Sequence, residues 1–312
     1  MELTAIQRRT LAGLLACGEG RPFPQGLASD LRRAIEGGIA PFLPLFDPPL
    51  RLWKERLNGL ARCEGLYDAD LAGERPPFVH SEASAAGTLS HKSIELEVSV
   101  AQEVDATELV DRAAERLAAD RQFAPHWEGL DAIARAELRM QALRSLEQFR
   151  ASFPPLRAIR RELAPVTEQW LEARFGGGAV RVLGKVDLLL NRPVPGRASR
   201  VLIDLKGGRA RSEHPEDMRL YALLYTLRTG VPPLRVATFL LSCGEWQPEE
   251  VTEEMLERAA SRVVTAVRAA ARGLSGGAPI LDPGPHCRRC PRRSACPAAA
   301  SMDASVPTGG RL

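Results

Sequence analysis

The sequence predicts a mixed α/β fold, with a central mixed sheet carrying helices on its faces, a helical extension in front and a cysteine-bearing loop behind. Three observations predict it. Apolar spacing is three to four residues up to about residue 152 and alternates from Val166 on. Two apolar runs, Val180 to Leu190 and Arg200 to Leu205, flank a turn-rich segment holding Pro193, Pro195 and Gly196, the pattern of an antiparallel hairpin. Helix, strand and helix then follow in turn, which places helices against a sheet. With 312 residues, 45% hydrophobic and 26% charged, the chain is ordinary globular material, long enough to bury a core.

Taken in order, residues 1 to 62 read as a helical extension. Helices are expected over Thr4 to Ala16, Leu27 to Ile39 and Leu50 to Leu60, separated by Gly/Pro-rich breaks. Cys17 is expected as a buried thiol on the first of them. Gly87-Thr88 reads as a helix start, which puts His91 one turn inside. Segments 105 to 120 and 127 to 152 read as inserted helices, the second long and amphipathic with Leu130, Ile133, Leu138, Leu143 and Leu146 on its apolar side. Pro154 and Pro155 end it.

Val166 to Phe175 reads as a strand, Gly176 to Gly178 as a turn, and the hairpin follows. Glu216 to Arg228 is a helix entered at Pro215 and closed by Gly230. Leu234 to Ser242 is a further strand and Glu253 to Arg272 a further amphipathic helix. The expected organisation is thus an extension over 1–62, a main domain over 63–298, and a disordered tail over 299–312.

The hairpin carries the chemistry. A symmetric loop has its midpoint between Pro195 and Gly196, so Asp187 faces Asp204 across the strands. Alternation along the strand puts Asp204 and Lys206 on one face and Leu205 on the other. Two carboxylates and an ammonium then meet in strands otherwise apolar. Close carboxylates repel unless a hard divalent cation such as magnesium or manganese lies between them, and a lysine alongside suits the charge of a phosphoryl oxygen.

The formal net charge of +3 does not by itself argue for nucleic acid, although arginine pairs such as Arg160-Arg161 and Arg288-Arg289 would suit a phosphate track. There is no apolar run of about 18 residues and no signal-peptide pattern, so a cytoplasmic, non-membrane protein is expected. In a reducing compartment a tight cysteine cluster points to metal before disulfides. Cys287, Cys290 and Cys296 have such spacing. A fourth ligand must come from elsewhere in the chain, with Cys63, Cys243, Cys17 and His286 as candidates: His286 gives a zinc site of Cys3His type, Cys63 a four-cysteine site able to hold iron and sulfur.

Together, Gly87-Thr88-Leu89-Ser90-His91, Gly184-Lys185-Val186-Asp187, Ile203-Asp204-Leu205-Lys206-Gly207-Gly208, Tyr221, and Pro283 to Cys296 resemble the RecB-type branch of the PD-(D/E)XK nucleases. The iron-sulfur members, the AddB nuclease domain and the CRISPR-associated RecB-like exonucleases, are the most similar. The resemblance implies a restriction-endonuclease-like sheet. It implies that His91, Asp187, Asp204 and the carbonyl of Leu205 bind Mg2+ or Mn2+, that Lys206 orients the attacking water or stabilises the developing charge, and that Tyr221 contacts DNA or positions the lysine. It further implies that Cys63 joins Cys287, Cys290 and Cys296 around a 4Fe-4S cluster, with Zn2+ as the alternative. Glu168 and Glu172 are both candidates for the acidic position that the family carries before the hairpin. One departure stands out: Asp217 occupies the place of the glutamine in the family's Gln-x-x-x-Tyr motif.

The expected activity is a metal-dependent deoxyribonuclease, exonuclease more than endonuclease, acting on single-stranded DNA or DNA ends in repair, CRISPR or phage-defence settings. The alternative is a catalytically weak nuclease-fold subunit that binds DNA and partners a helicase or other motor.

Overall fold

The computed structural model describes residues 2–15 and 20–299. Cys17 and the expected tail from residue 300 on lie outside the described residues. The elements are, in chain order, α1 (Ala5–Leu15), β1 (Arg21–Pro22), α2 (Leu27–Ile39), β2 (Leu50–Leu52), α3 (Lys54–Arg62), α4 (Glu64–Leu71), α5 (Glu82–Ser99), α6 (Ala106–Ala118), α7 (Ala124–Glu128), α8 (Ala132–Ser152) and α9 (Arg160–Leu163). They continue with β3 (Val166–Phe175), β4 (Val180–Leu190), β5 (Arg197–Ala198), β6 (Val201–Lys206), α10 (Glu213–Thr229), β7 (Arg235–Leu240), β8 (Glu245–Glu250) and α11 (Glu253–Leu274). The main sheet has six strands in the order β2-β4-β6-β7-β8, with β3 also paired to β4. It is mixed: β6 and β7 run parallel, while β4 with β6 and β7 with β8 run antiparallel. The expected α/β class with a central mixed sheet and flanking helices is therefore the observed one.

The chain divides into two compact units. The first is built from residues up to Ser29, Phe78–Leu171 and Lys185–Leu256. Its core joins Leu89 and Ile94 of α5, Leu109 of α6 and Leu146 of α8 to Leu188, Ile203 and Phe239 of the sheet. The second half of β4 and nearly all of β6 are buried on both faces, which is why they read as continuous apolar runs instead of alternating ones. Helix α10 packs on β6 and β7. Its C-terminal end is set by Gly230, at φ 81°, a left-handed conformation that glycine adopts without strain.

The second unit is built from Asp30–Pro77, Glu172–Gly184 and residues from Glu257 on. There β2 lies parallel to the start of β4, pairing Leu50 with Val180 and Leu52 with Val182. Ala299, the last described residue, is buried.

Four expectations change. Leu50–Leu52 is a strand, not the first turn of a helix, with Leu50 and Leu52 buried and Arg51 exposed. Pairing with β4 holds these three residues extended, and the helix begins only at Lys54. Helix α5 starts at Glu82 and not at Gly87, because Ser81 and Ser84 form a reciprocal cap: the Ser84 N–H donates to Ser81 Oγ at 3.3 Å and the Ser81 N–H to Ser84 Oγ at 2.8 Å. His91 consequently sits mid-helix. The segment expected as one helix over 127–152 is broken, since Asp131 caps a new start by accepting the Ala134 N–H at 2.8 Å, and Ile133 is 72% exposed instead of packed. Finally, β8 follows β7. Its mostly polar sequence gives no strand signal, but Trp246 packs tilted against Phe239 at 4.4 Å and meets Phe153 edge-on at 4.9 Å.

Candidate active site

The hairpin register fixes the site. Leu188 pairs with Ile203 and Leu190 with Val201, so the same register continued by one residue brings Asp187 opposite Asp204. Asp187 is 8% exposed and Asp204 2%, in strands that would otherwise exclude charge. Each has partners. The Leu205 backbone N–H donates to Asp187 Oδ2 at 2.7 Å. Lys206 Nζ lies 2.5 Å from Asp204 Oδ2, as alternation along one strand face requires.

His91 reaches this pair from α5. Small side chains flank it along the helix, Ala85, Ala86 and Ser90 before it and Ser93 after it, all buried. The two serine hydroxyls donate to the carbonyls of Ala86 and Leu89, each at 2.8 Å, so they pack without an unpaired polar group. This brings His91 Nδ1 to 3.4 Å from Asp187 Oδ1.

Glu168 completes the cluster from β3. One ligand atom each of His91, Glu168 and Asp187 lie within 4.8 Å of one another. For a cation bound at about 2.1 Å, opposite ligands stand about 4.2 Å apart, so the group is close to the size a divalent ion needs. The carboxylate of Glu168 is held by Lys185 on the neighbouring strand. Its φ of 53° is left-handed backbone inside a strand, a conformation costing on the order of 1–3 kcal/mol for a residue with a Cβ. Glu172, the other candidate, is bound instead by Arg174 and Arg181 at 2.9 and 2.6 Å, and these hydrogen bonds hold its carboxyl down at about 2. Of the two candidates, Glu168 is the one that gathers with His91 and Asp187.

The electrostatics suit cation exchange. Burial alone would lower the pKa of His91, but Asp187 and Asp204 outweigh it and raise the imidazole above its ordinary value. Burial would raise Asp187, and His91, Lys206 and the Leu205 N–H together bring it below the usual carboxylate range.

Beyond Lys206, α10 carries His214 and Asp217 near its start, both buried, and Tyr221 one turn after Asp217, 2% exposed. His214 Nδ1 accepts the Arg211 N–H at 3.3 Å, and burial together with the nearby Lys206 lowers its pKa. Tyr221 is a core residue of α10 by its burial. His214 was not anticipated from the sequence, since nothing in its local pattern marks it.

The cysteines gather in the second unit. Cys63, Cys287, Cys290 and Cys296 line one cavity of about 300 Å³, together with His286. The junction of α3 and α4 explains how Cys63 comes to lie there. Glu64 beside it is buried, donates its N–H to the Ile280 carbonyl at 3.2 Å and accepts the Ile280 N–H and, at 3.0 Å, Arg272. Gly65 makes room for the same segment, for a Cβ there would stand 2.7 Å from the Leu281 side chain. Arg292 anchors the loop to Glu74 through two hydrogen bonds of 2.7 and 2.6 Å. The Gly284 N–H points at Cys287 Sγ, 3.4 Å away, and His286 Nε2 lies 3.8 Å from the same sulfur. Cys243 is exposed and does not line the cavity. Glu64 and Gly65 were unmarked in the sequence because their role depends on a partner more than 200 residues away.

The sequence profile of the PD-(D/E)XK nuclease superfamily matches residues 55–297. The chain belongs to that superfamily. Nucleases of this kind typically use a divalent metal, and the His91, Glu168 and Asp187 group could hold one. Among solved structures, this superfamily member is similar to a protein described as "Putative exonuclease" from Eubacterium rectale, at 14% identity and a TM-score of 0.45 over 82% of this chain and 93% of that one. It is also similar to SSO0001, at 16% identity and a TM-score of 0.30 over 68% of this chain and 95% of that one. No curated protein matches the sequence. Among the described residues, no helix is long and apolar enough to cross a membrane.

Proposed function

We propose that this PD-(D/E)XK nuclease is a Mg2+- or Mn2+-dependent deoxyribonuclease that hydrolyses phosphodiester bonds in single-stranded DNA or at DNA ends, as an exonuclease. The observation that carries the reading is the convergence of His91, Glu168 and Asp187 beside the Asp204–Lys206 pair. His91, Glu168, Asp187, Asp204 and the Leu205 carbonyl are the cation ligands. Support for the carbonyl comes from its own N–H: the N–H and C=O of one strand residue point to the same edge, and that N–H already meets Asp187. When bound, a divalent cation lowers the pKa of water and neutralises phosphate charge. Lys206, held at Asp204, supplies a positive charge to the phosphoryl oxygens as negative charge develops. Asp204 and Asp187 keep the reacting face anionic, so phosphate binds productively only with cation present. Tyr221 supports α10 behind Lys206, and its burial favours the positioning role over a DNA contact.

The catalytic domain of this reading spans 63–298, of the RecB-type iron-sulfur branch. Cys63, Cys287, Cys290 and Cys296 hold a 4Fe-4S cluster. The supporting observation is a cavity lined by all four thiols, of a volume larger than a single zinc ion needs, with the Gly284 N–H directed at one sulfur. Thiol ligation of this kind suits a reducing compartment such as the cytoplasm.

The test is an assay on end-labelled linear and on circular single-stranded DNA, with manganese and with chelator. Manganese-dependent loss of the linear substrate with circles intact is the expected result. Intact linear DNA across several divalent metals would remove the catalytic reading. Iron, sulfide and zinc are measured on the same anaerobic preparation, where zinc without iron and sulfide would remove the cluster.

A further inference from the structure

At the opposite end of β6 from Lys206 lies a second pocket, of about 330 Å³, lined by the loop between β4 and β6 and the end of α10. Its polar lining is Arg197, Ser199, Arg200, Tyr225 and Thr229, and no carboxylate belongs to it. The volume falls at the low end of the range for small-ligand sites, about 300–1,000 Å³.

Arg200 is the unusual member. It is 6% exposed, and its acceptors are neutral: Nη1 donates to the Ala164 carbonyl at 3.0 Å and to the Asn191 carbonyl. Among the described residues no Asp or Glu stands within ion-pair distance of it. Two carbonyls satisfy part of its fork of donors but leave the full positive charge uncompensated away from water, an arrangement that is costly without an anion. The phenol of Tyr225 stands beside it and next to Thr229. Ser199 is 3% exposed, and its oxygen accepts the Val194 N–H at 2.9 Å, which leaves its own O–H to donate. Among the described residues, the Arg200 guanidinium and the Ser199 and Tyr225 hydroxyls thus bring positive charge and donors to this pocket with no carboxylate lining it.

We propose that this pocket binds a phosphate group. A guanidinium fork pairs with phosphate oxygens in two-point fashion, and a tetrahedral oxyanion has oxygens to spare for the Ser199 and Tyr225 hydroxyls, which a planar carboxylate has not. Arg200 is four residues from Asp204 along the chain, about 13 Å at 3.3 Å per strand residue, so the phosphate held here is not the one being cut. Two sources share this chemistry. One is free phosphate or a mononucleotide. The other is the phosphorylated end of a nucleic acid, and that source rests on the nuclease reading.

The experiment is thermal unfolding of the full-length protein in chelator, with inorganic phosphate titrated against sodium chloride of equal ionic strength. A saturable rise of the midpoint with phosphate alone is expected. Ser199→Ala should raise the phosphate concentration giving half of that rise at least about fivefold, as loss of one hydrogen bond to a charged oxygen requires. Arg200→Lys should abolish the response, and if that variant does not fold, Ser199→Ala and Tyr225→Phe carry the comparison. A rise of the same size with chloride, or an unchanged phosphate response in both hydroxyl variants, would overturn the proposal. In a second arm, anisotropy of one oligonucleotide with phosphorylated and with hydroxyl ends is read in chelator. Preference for the phosphorylated end, lost in Ser199→Ala, assigns the pocket to nucleic-acid ends; equal binding of both ends, with the midpoint response intact, assigns it to free phosphate. Neither arm depends on cleavage, so a protein that cuts nothing would leave the result standing.

Discussion

The backbone N–H of Leu205 donates to the carboxylate of Asp187, 2.7 Å away, joining the two strands of the hairpin through a side chain at the point where the charges meet. The bond fixes one oxygen of Asp187 and leaves the other facing His91 at 3.4 Å. Asp187→Asn keeps an oxygen able to accept the Leu205 N–H but removes the negative charge. It should therefore fold, and lose activity by about 10³-fold or more, since several kcal/mol of transition-state charge stabilisation go with the cation. Far-UV circular dichroism and cleavage rate on one preparation check both halves of this expectation.

Lys206→Ala should separate binding from turnover. Its ammonium sits on Asp204 at 2.5 Å, so removing it frees that carboxylate for metal while taking positive charge from the phosphoryl oxygens. Manganese affinity by calorimetry should be unchanged or tighter, with the single-turnover rate lower by about 10²–10³-fold.

Glu168 and Glu172 offer an internal control four residues apart. Glu168→Gln should weaken manganese binding by at least about tenfold and lower cleavage with it, whereas Glu172→Gln, whose carboxylate is tied to Arg174 and Arg181, should leave both within about twofold. Equal loss in the two variants would contradict the assignment.

How much of this was legible beforehand follows from the range of each signal. The Asp187–Asp204 register could be read from the hairpin, because a loop between two strands is a local feature whose midpoint follows from counting. The strand over Val166–Phe175 and the end of α10 at Gly230 were local in the same sense. The candidacy of Glu168 over Glu172 was not, since the grouping of Glu168 with Asp187 also needs His91, which arrives from a separate helix. The start of α5 was missed because Ser81 and Ser84 make a cap without the usual acidic partner, and β8 because Trp246 is the one large apolar side chain in its otherwise mostly polar sequence.

The metal-free protein should show a pH signature. Despite burial, Asp187 raises His91 above its unfolded value near 6.5, so that contribution to stability is complete below pH 6.5 and is lost as pH rises through the folded value. Asp187 is held below its unfolded value near 3.8, so its contribution is complete above pH 3.8 and is lost as pH falls through the folded value. In chelator, the stability difference between wild type and Asp187→Asn should accordingly be greatest between pH 3.8 and 6.5. With manganese the trend at higher pH reverses, because His91 must release its proton to bind, and metal stabilisation should grow as pH rises. Denaturation midpoints across pH, with and without manganese, read both.

The most direct measurement is anomalous diffraction from a manganese-soaked crystal. A peak within about 2.0–2.3 Å of His91, Glu168 and Asp187 oxygen or nitrogen atoms is the predicted result. Manganese found elsewhere, with His91 still on Asp187 and Glu168 still on Lys185 in a protein that cleaves DNA, would contradict the account.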